Sequence, residues 1–230
     1  MIPVFIIWLI RRATRRSRQK PLGINLLTRA MRIFILVIIL LLTITGHAQT
    51  RRLSYQILRN GSRVGSLNFC ETTRNGTDYL KMESDIQARL IFTFTAHASE
   101  EAVYSNGILL RSFICRKLNG HERVNKEHLA RNNQYIIHDG KNTKVVKQFP
   151  ITYSMLSMYL TEPENIGRVY SDNFQTFLNI QKLDRHKYKI TLPDGNYNFY
   201  SYHAGVLNEI EIHHNLYSAT IVLSNNEFAL

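Results

Sequence analysis

Histidine and carboxylate side chains are the groups from which this chain could build a metal or catalytic site. The one adjacent histidine pair is His213-His214, and neighbouring residues of a strand point to opposite faces of a sheet. The pair therefore cannot chelate one ion from a regular strand, and the sequence contains neither a His-x-His motif nor a close Cys/His cluster. The sequence predicts no metal ion and no cofactor.

Three pairs of nearby glutamates are candidates for acid and base roles: Glu100/Glu101, Glu162/Glu164 and Glu209/Glu211. Residues two apart on a strand lie about 7 Å apart on one face, which is comparable to the separation of glycosidase carboxyl groups. No aromatic sugar platform accompanies Glu209 and Glu211, so this pattern favours a solvated outer face. The Gly-x-Ser-x-Gly and Ser-x-x-Lys motifs of nucleophilic enzymes are missing from residue 49 onward, and we predict no catalytic residues.

The two cysteines, Cys70 and Cys115, are candidates for a disulfide. Pairing would require an oxidising compartment and Cα atoms within about 7 Å of each other. Both residues lie in predicted strands, and the sequence does not show how far apart those strands are. A disulfide and two buried thiols therefore remain open alternatives.

A short segment rich in tyrosine and methionine supplies the candidate ligand-lining residues, which are Tyr153, Met155, Met158 and Tyr159. Methionine fills and adapts to irregular apolar space, and tyrosine combines an apolar ring with a polar tip. The alternative is that these side chains only fill the protein's own core. The spacing of Ile151, Met155, Met158 and Tyr159 predicts a short helix over residues 151–160, between Pro150 and Pro163.

Glycine positions indicate how the rest of the chain is organised. Six glycines after residue 48 directly follow Asn or Asp, as in Asn60-Gly61 and Asn106-Gly107, and such dipeptides favour type I′ hairpin turns. The flanking segments alternate apolar and polar residues with period two, as in Leu53, Tyr55 and Ile57. We predict an all-β fold with minor α content: a strongly curved antiparallel meander sheet that forms a half-barrel or open barrel.

Residues 31–48, MRIFILVIILLLTITGHA, have the pattern of a secretory signal peptide. A positive start is followed by the apolar run Ile33 to Leu42, and small residues at Gly46 and Ala48 then precede Gln49. The apolar run is too short to span a bilayer, which takes about 20 residues. We interpret residues 1–30 as an over-long gene-model extension, with a long positive leader as the alternative, and residues 49–230 as one domain.

Residues 1–48 also account for most of the chain's net positive charge. Residues 1–48 contain eight of the 29 basic residues and none of the 17 acidic ones, so the net charge of +12 falls to +4 without them. A net charge of that size is ordinary for a protein surface, so we expect no nucleic-acid partner. We expect a periplasmic or secreted protein with no transmembrane anchor after cleavage.

Four motifs of turn and core residues are distributed along the chain: Tyr55-x-Ile57-x-x-Asn60-Gly61-x-x-Val64-Gly65, Val103-Tyr104-x-Asn106-Gly107-x-Leu109, Tyr153-Ser154-x-Leu156-x-x-Tyr159 and Leu192-Pro193-Asp194-Gly195. Together they resemble an uncharacterised family of small secreted β-rich proteins from Gram-negative bacteria. The resemblance covers nearly all of residues 52–224 and implies the fold, with no catalytic residues to carry over. The chain also resembles, more weakly, the half-barrels of periplasmic lipoprotein carriers, a likeness of fold alone.

These observations lead to a non-catalytic hypothesis for the function. A curved sheet partly covered by a helix forms a concave apolar site, so we expect an apolar or amphiphilic ligand, such as a lipid, inside the sheet. The alternative is a cell-envelope interaction module that binds other proteins through a sheet edge or outer face. An envelope hydrolase is the third hypothesis.

Overall fold

The computed structural model describes residues 31, 34, 49–89, 93–147, 149–215 and 217–229. The chain divides into two units, residues 1–46 and residues 47–230. Met31 and Phe34, which are both helical, are the described residues of the first unit, so the predicted signal peptide lies almost entirely outside the described residues. Among the described residues, no helix has the length and apolar character needed to cross a membrane.

Within residues 49–229, the described part of the chain forms fourteen strands and one 3₁₀ turn. The first eight strands are β1 (Gln49–Arg59), β2 (Ser62–Arg74), β3 (Thr77–Arg89), β4 (Thr93–Ser105), β5 (Ile108–Leu118), β6 (His121–Arg131), β7 (Gln134–Asp139) and β8 (Asn142–Val146). The 3₁₀ turn (Met155–Tyr159) follows, and then β9 (Arg168–Ser171), β10 (Thr176–Asp184), β11 (Lys187–Thr191), β12 (Tyr197–His203), β13 (Val206–His214) and β14 (Tyr217–Ala229).

All fourteen strands belong to one antiparallel sheet, which confirms the predicted all-β meander. The order is β8-β7-β6-β5-β4-β3-β2-β1-β14-β13-β12-β11-β10-β9, so strands that pair are also consecutive in sequence, except for β1 and β14. That pairing joins two meanders, β1 to β8 and β9 to β14, into one sheet. The sheet is not closed, because β8 and β9 lie at its opposite edges.

The Asn-Gly dipeptides form the hairpin turns that the sequence predicts. At Asn60-Gly61 both residues have positive φ, +50° and +76°, and the same holds at the other three Asn-Gly pairs. The structure adds two turns of this kind that the sequence analysis missed, at Asn132-Asn133 and at Ala204-Gly205. The two Asp-Gly pairs differ, because only their glycines, Gly140 and Gly195, have positive φ, and Asp194-Gly195 lies in a longer connection between β11 and β12.

The sheet curls around the connection between β8 and β9, which we call the inner segment (residues 149–166). Its 3₁₀ turn contacts β3 and β4 on one side and β9 and β13 on the other, although these strands are far apart in the sheet order. The inward positions of the strands are apolar and buried, and the inner segment adds Ile151, Leu156, Met158 and Tyr159 to the same core. Tyr159 stacks on Phe69 of β2 with ring centroids 5.0 Å apart.

The predicted helix over residues 151–160 is wrong in its extent, because only Met155–Tyr159 is helical, as a 3₁₀ turn. Residues 151–154 are extended instead, since their backbone groups bond to strands. The N–H of Leu109 donates to the Ile151 carbonyl over 2.8 Å, and the N–H of Tyr170 donates to the Tyr153 carbonyl over 3.0 Å. An α-helix starting at residue 151 would withdraw those carbonyls from the strands.

Tyrosine hydroxyls supply further hydrogen bonds to the inner segment. The Tyr135 hydroxyl accepts from the Ile151 N–H at 3.1 Å and donates to the Leu109 carbonyl at 2.9 Å. The Tyr202 hydroxyl donates to the Met158 carbonyl at 2.9 Å. Irregular backbone can be buried because these hydroxyls take the place of water as partners.

A pair of Tyr→Phe variants tests this role. Tyr135 and Tyr170 are both fully buried, but the Tyr170 hydroxyl has no hydrogen-bond partner among the described residues. Tyr135→Phe leaves two backbone groups unpaired and should lower the free energy of unfolding by about 1–3 kcal/mol. Tyr170→Phe removes only an unpaired hydroxyl, so its free energy of unfolding should equal or slightly exceed that of the wild type. Both variants are measured by urea titration. Equal losses in the two variants would contradict the assignment.

Candidate functional site

The inner segment fills only part of the concave face and leaves a cavity of about 580 Å³ beside it. Inward-facing residues of β3 to β5 form one wall, and residues of β12 to β14 form the opposite wall. The curl of the sheet brings these strands to face each other. The wall residues are mainly apolar, and they include Ile86, Ala98, Ile114, Ile210, Ile212 and Ile221.

Two of the four predicted ligand-lining residues border the cavity. Met155 and Tyr159 are at its base, where the 3₁₀ turn faces the open half of the concave surface. Tyr153 and Met158 are buried among the core residues and do not border it. The Tyr153 hydroxyl instead donates a 2.6 Å hydrogen bond to the Thr161 carbonyl, which fixes the end of the inner segment.

The apolar wall carries one ion pair, between Glu100 on β4 and Arg116 on β5. The guanidinium Nη2 donates to the Glu100 Oε1 over 2.6 Å. The Glu100 side chain is 11% exposed and the Arg116 side chain is 43% exposed, and both line the cavity. The carboxylate is thus packed into the wall, while the guanidinium lies at its surface.

A second polar group, Asp172, lies just after β9 and also lines the cavity. The Ser112 hydroxyl donates a hydrogen bond to the Asp172 Oδ1, and the His128 Nδ1 lies 3.5 Å from the same oxygen. Burial raises the pKa of Asp172 and the hydrogen bond from Ser112 lowers it; with the nearby charge of Glu100, which also raises it, the pKa is about 7. This carboxyl can therefore hold or release a proton near neutral pH.

His128 is fully buried behind Asp172, and its ring edge faces the Tyr170 ring. Burial, together with the positive charge of Lys126, lowers its pKa to about 4. The imidazole is therefore neutral over most of the pH range. Neither ring nitrogen has a hydrogen-bond partner among the described residues, which leaves polar atoms unsatisfied beside the cavity.

A separate cluster joins the end of the inner segment to the β10–β11 turn. The His186 Nδ1 lies 2.9 Å from both carboxylate oxygens of Glu162, and the Tyr188 hydroxyl donates to the Glu162 Oε1 over 2.7 Å. With Glu164, donor atoms of three residues lie within 4.8 Å of one another and could hold a cation. Glu162 and Glu164 are one of the glutamate pairs that the sequence offered for acid and base roles, and the tertiary fold brings His186 to them. The hydrogen bonds from His186 and Tyr188 already satisfy the Glu162 carboxylate, so the cluster is explained by its structural role in linking the inner segment to β10 and β11.

The two cysteines are free thiols, so the candidate disulfide is not formed. Cys70 on β2 and Cys115 on β5 are separated by β3 and β4. Three strand-to-strand steps amount to about 14 Å, which is twice the reach of a disulfide. The sequence could not show this, because it does not give the order of the strands.

The charged residues of the cavity were missed as a group by the sequence analysis. Glu100 was considered only with Glu101, which points to the opposite face, and Asp172 was not considered. One signal was present: alternate positions of β4 carry small apolar residues, Ala96, Ala98 and Ala102, with Glu100 between them. A single charged residue in an apolar, inward-facing series is a candidate functional position.

Asp172→Asn should reveal opposing pH effects on stability. The native pKa of Asp172, about 7, exceeds its ordinary value of 3.8. Between these values the native state binds more protons, so stability falls as pH rises. His128 has the opposite effect, because its native pKa of about 4 lies below its ordinary 6.5. Without Asp172, the free energy of unfolding should rise between pH 4 and 6.5 by on the order of 2–3 kcal/mol.

The measurement is a series of urea titrations between pH 4 and 7.5, with Asp184→Asn as the control. Asp184 is exposed on the β10–β11 turn, so its replacement should leave the wild-type pH profile unchanged. A profile of Asp172→Asn that runs parallel to the wild type would show that the native carboxyl titrates normally.

Comparisons with known proteins fit this architecture. The chain is similar to a beta-barrel-like protein of domain of unknown function DUF1849 from Brucella abortus, whose crystal structure matches with a TM-score of 0.55 at 9% sequence identity. The match covers 80% of this chain and 98% of the other, and it concerns the fold alone. No curated protein matches the chain. The family model of the domain of unknown function DUF6134 matches residues 55–224, which span nearly the whole sheet, and the chain therefore belongs to that family.

Proposed function

We propose that this domain binds an amphiphilic small molecule whose hydrocarbon part lies in the cavity between the two walls of the curled sheet. The cavity supports this proposal by its size and lining. Its volume of about 580 Å³ falls within the range of about 300–1,000 Å³ that is usual for small-molecule sites. Its lining residues are mainly apolar, and polar side chains such as Glu100, Arg116 and Asp172 lie among them.

Side-chain size explains why the cavity exists. The half of the concave face beneath the inner segment carries large side chains, such as Tyr55 and Phe69. The other half includes small residues at inward positions, among them Ala96, Ala98 and Ala219. A ligand that buries hydrocarbon there gains about 0.8 kcal/mol for each methylene group. A chain of several carbons would therefore draw a few kcal/mol of binding free energy from the wall.

We also propose export of the domain from the cytoplasm. The second structural unit begins at His47 and its first strand begins at Gln49, which is the residue after the predicted cleavage site. Removing residues 1–48 would leave every strand of the sheet intact. An amphiphile-binding domain outside the cytoplasm would act on molecules of the cell envelope.

The second candidate function, a protein-interaction module of the envelope, rests on the sheet edge. β8 is an edge strand, and four of its five residues are exposed. An edge strand can pair with a strand of another protein. Native mass spectrometry of protein isolated from its own envelope separates the two functions, since the first predicts a bound lipid-sized molecule and the second a bound protein.

A cavity-filling variant tests the ligand site. Ala98→Trp places an indole within the apolar wall, whereas Ser99→Trp places the same side chain on the outer face of the same strand. We expect Ala98→Trp to weaken binding of the neutral fluorescent probe N-phenylnaphthylamine at least tenfold by occupying its space. Ser99→Trp should bind the probe like the wild type. Unchanged binding by Ala98→Trp, with thermal unfolding preserved, would exclude the cavity as the site.

N-terminal sequencing tests the export proposal. The exported protein should begin at Gln49, and it should show no tryptophan fluorescence, because Trp8 is the chain's one tryptophan. The control is the full chain made without export, which retains Trp8 and its fluorescence. An exported product that retains Trp8 would contradict the signal-peptide interpretation.

A further inference from the structure

The ion pair of the cavity wall is placed where an apolar pair would be expected. Glu100 is in register with Ile114 on the neighbouring strand, and Arg116 is in register with Ala98. Those neighbours are apolar and line the same cavity. Packing the Glu100 carboxylate into the wall, where its side chain is 11% exposed, costs desolvation free energy that its attraction to Arg116 does not reliably repay. The pair therefore calls for an explanation other than stability.

The two partners differ in what they offer to a bound molecule. The Glu100 carboxylate is packed into the wall and accepts the short hydrogen bond from Arg116. A guanidinium has five N–H donors in a rigid plane, and Nη2 is the one nitrogen with a hydrogen-bond partner among the described residues. The remaining donors belong to a side chain that is 43% exposed and lines the cavity. Glu100 thus orients Arg116, and Arg116 keeps free donors for a ligand.

The charges around Arg116 favour an anion over a cation. Lys117 and Arg123 border the same cavity and are exposed, whereas Asp194 is the exposed acid among its lining residues. Asp172 also lines the cavity, and its raised pKa of about 7 reduces its negative charge at neutral pH. The Glu100 charge is balanced by its own partner, Arg116.

We propose that Arg116 binds the oxyanion group, a carboxylate or a phosphate, of an amphiphile whose hydrocarbon chain lies against the apolar wall. This rests on the proposed function, and it assigns the polar end of the ligand. Planar N–H donors match both oxyanions, and charge-assisted hydrogen bonds of this kind are about twice as strong as neutral ones. Glu100 is a positioning residue that holds the guanidinium in place.

The test compares ligands that share one hydrocarbon chain. Dodecanoate, dodecyl phosphate, dodecanol and dodecylamine compete with N-phenylnaphthylamine for the protein purified from cells that express the full chain, each below its micelle concentration. Arg116→Gln should lower the affinity for the two anions about tenfold and change the affinity for dodecanol by less than about twofold. The ratio of dodecanoate to dodecyl phosphate affinity in the wild type identifies which oxyanion the site prefers.

Two further variants guard against indirect effects. Arg116→Gln leaves a buried carboxylate unpaired, so Glu100→Gln/Arg116→Gln serves as the variant that removes both charges while keeping the wall's shape. It should show the same selective loss of anion binding. The matched control is Arg111→Gln. Arg111 lies on the same strand as Arg116 but on the outer face, where it pairs with Glu127 of β6, so its replacement should leave the affinity for all four compounds unchanged.

The outcomes separate the two proposals. The role of Arg116 would be overturned if both Arg116 variants bound the anions as tightly as the wild type. It would also be overturned if their affinity for dodecanol fell as much as their affinity for the anions. Either result would leave the cavity as the ligand site. If none of the four compounds displaces the probe from the wild type, the proposed function itself is wrong.

Discussion

Hydrogen bonding of buried irregular backbone is the constraint on which this fold depends. An open sheet of fourteen strands cannot bury its concave face alone, and the inner segment covers part of that face with a backbone that is neither strand nor α-helix. Each buried N–H and carbonyl of such a segment needs a partner. Hydroxyls of Tyr135 and Tyr202 bond to that backbone, and hydroxyls of Tyr104 and Tyr188 bond to side chains of the same segment. These four tyrosines thus have a structural role.

The same arrangement creates the cavity. The inner segment is held at fixed points by β5, β7, β9 and β12, so it cannot spread over the whole concave face. The rest of that face carries alanines and isoleucines, which cover the sheet without filling the space in front of it. A protein selected only for stability would fill such a space, because close packing of a core is favourable. The open half of the barrel-like fold is therefore the natural place for a ligand.

Polar groups in the cavity are arranged so that each charge has a defined environment. Glu100 is neutralised by Arg116, while the Asp172 carboxyl is placed among Ser112 and the uncharged ring of His128. The first group lies on β4 and β5. The second combines residues of β5 and β6 with Asp172, which follows β9 and is distant from them in sequence. An apolar chain and a polar group can thus be accommodated in one site, and this combination carries the proposal of an amphiphilic ligand.

Local patterns determined much of the fold from the sequence alone. Asn-Gly pairs require left-handed φ values, and the period-two alternation of β1, with Leu53, Tyr55 and Ile57 buried, requires one wet and one buried face. Both signals depend only on neighbouring residues, so the antiparallel meander was predictable. The helix over residues 151–160 was mispredicted because its spacing was read locally, while its backbone bonds to Leu109 and Tyr170 are long-range.

The candidate site depended on contacts that no local pattern contains. Glu100 and Arg116 are 16 positions apart, and Ser112 and Asp172 are 60 positions apart. The separation of Cys70 from Cys115 was likewise set by the order of strands. By itself, the sequence determined strands, turns and a leader-like segment, since these follow from the properties of adjacent residues. The tertiary structure alone decided which inward residues face each other across the curl, because that depends on the path of the whole sheet.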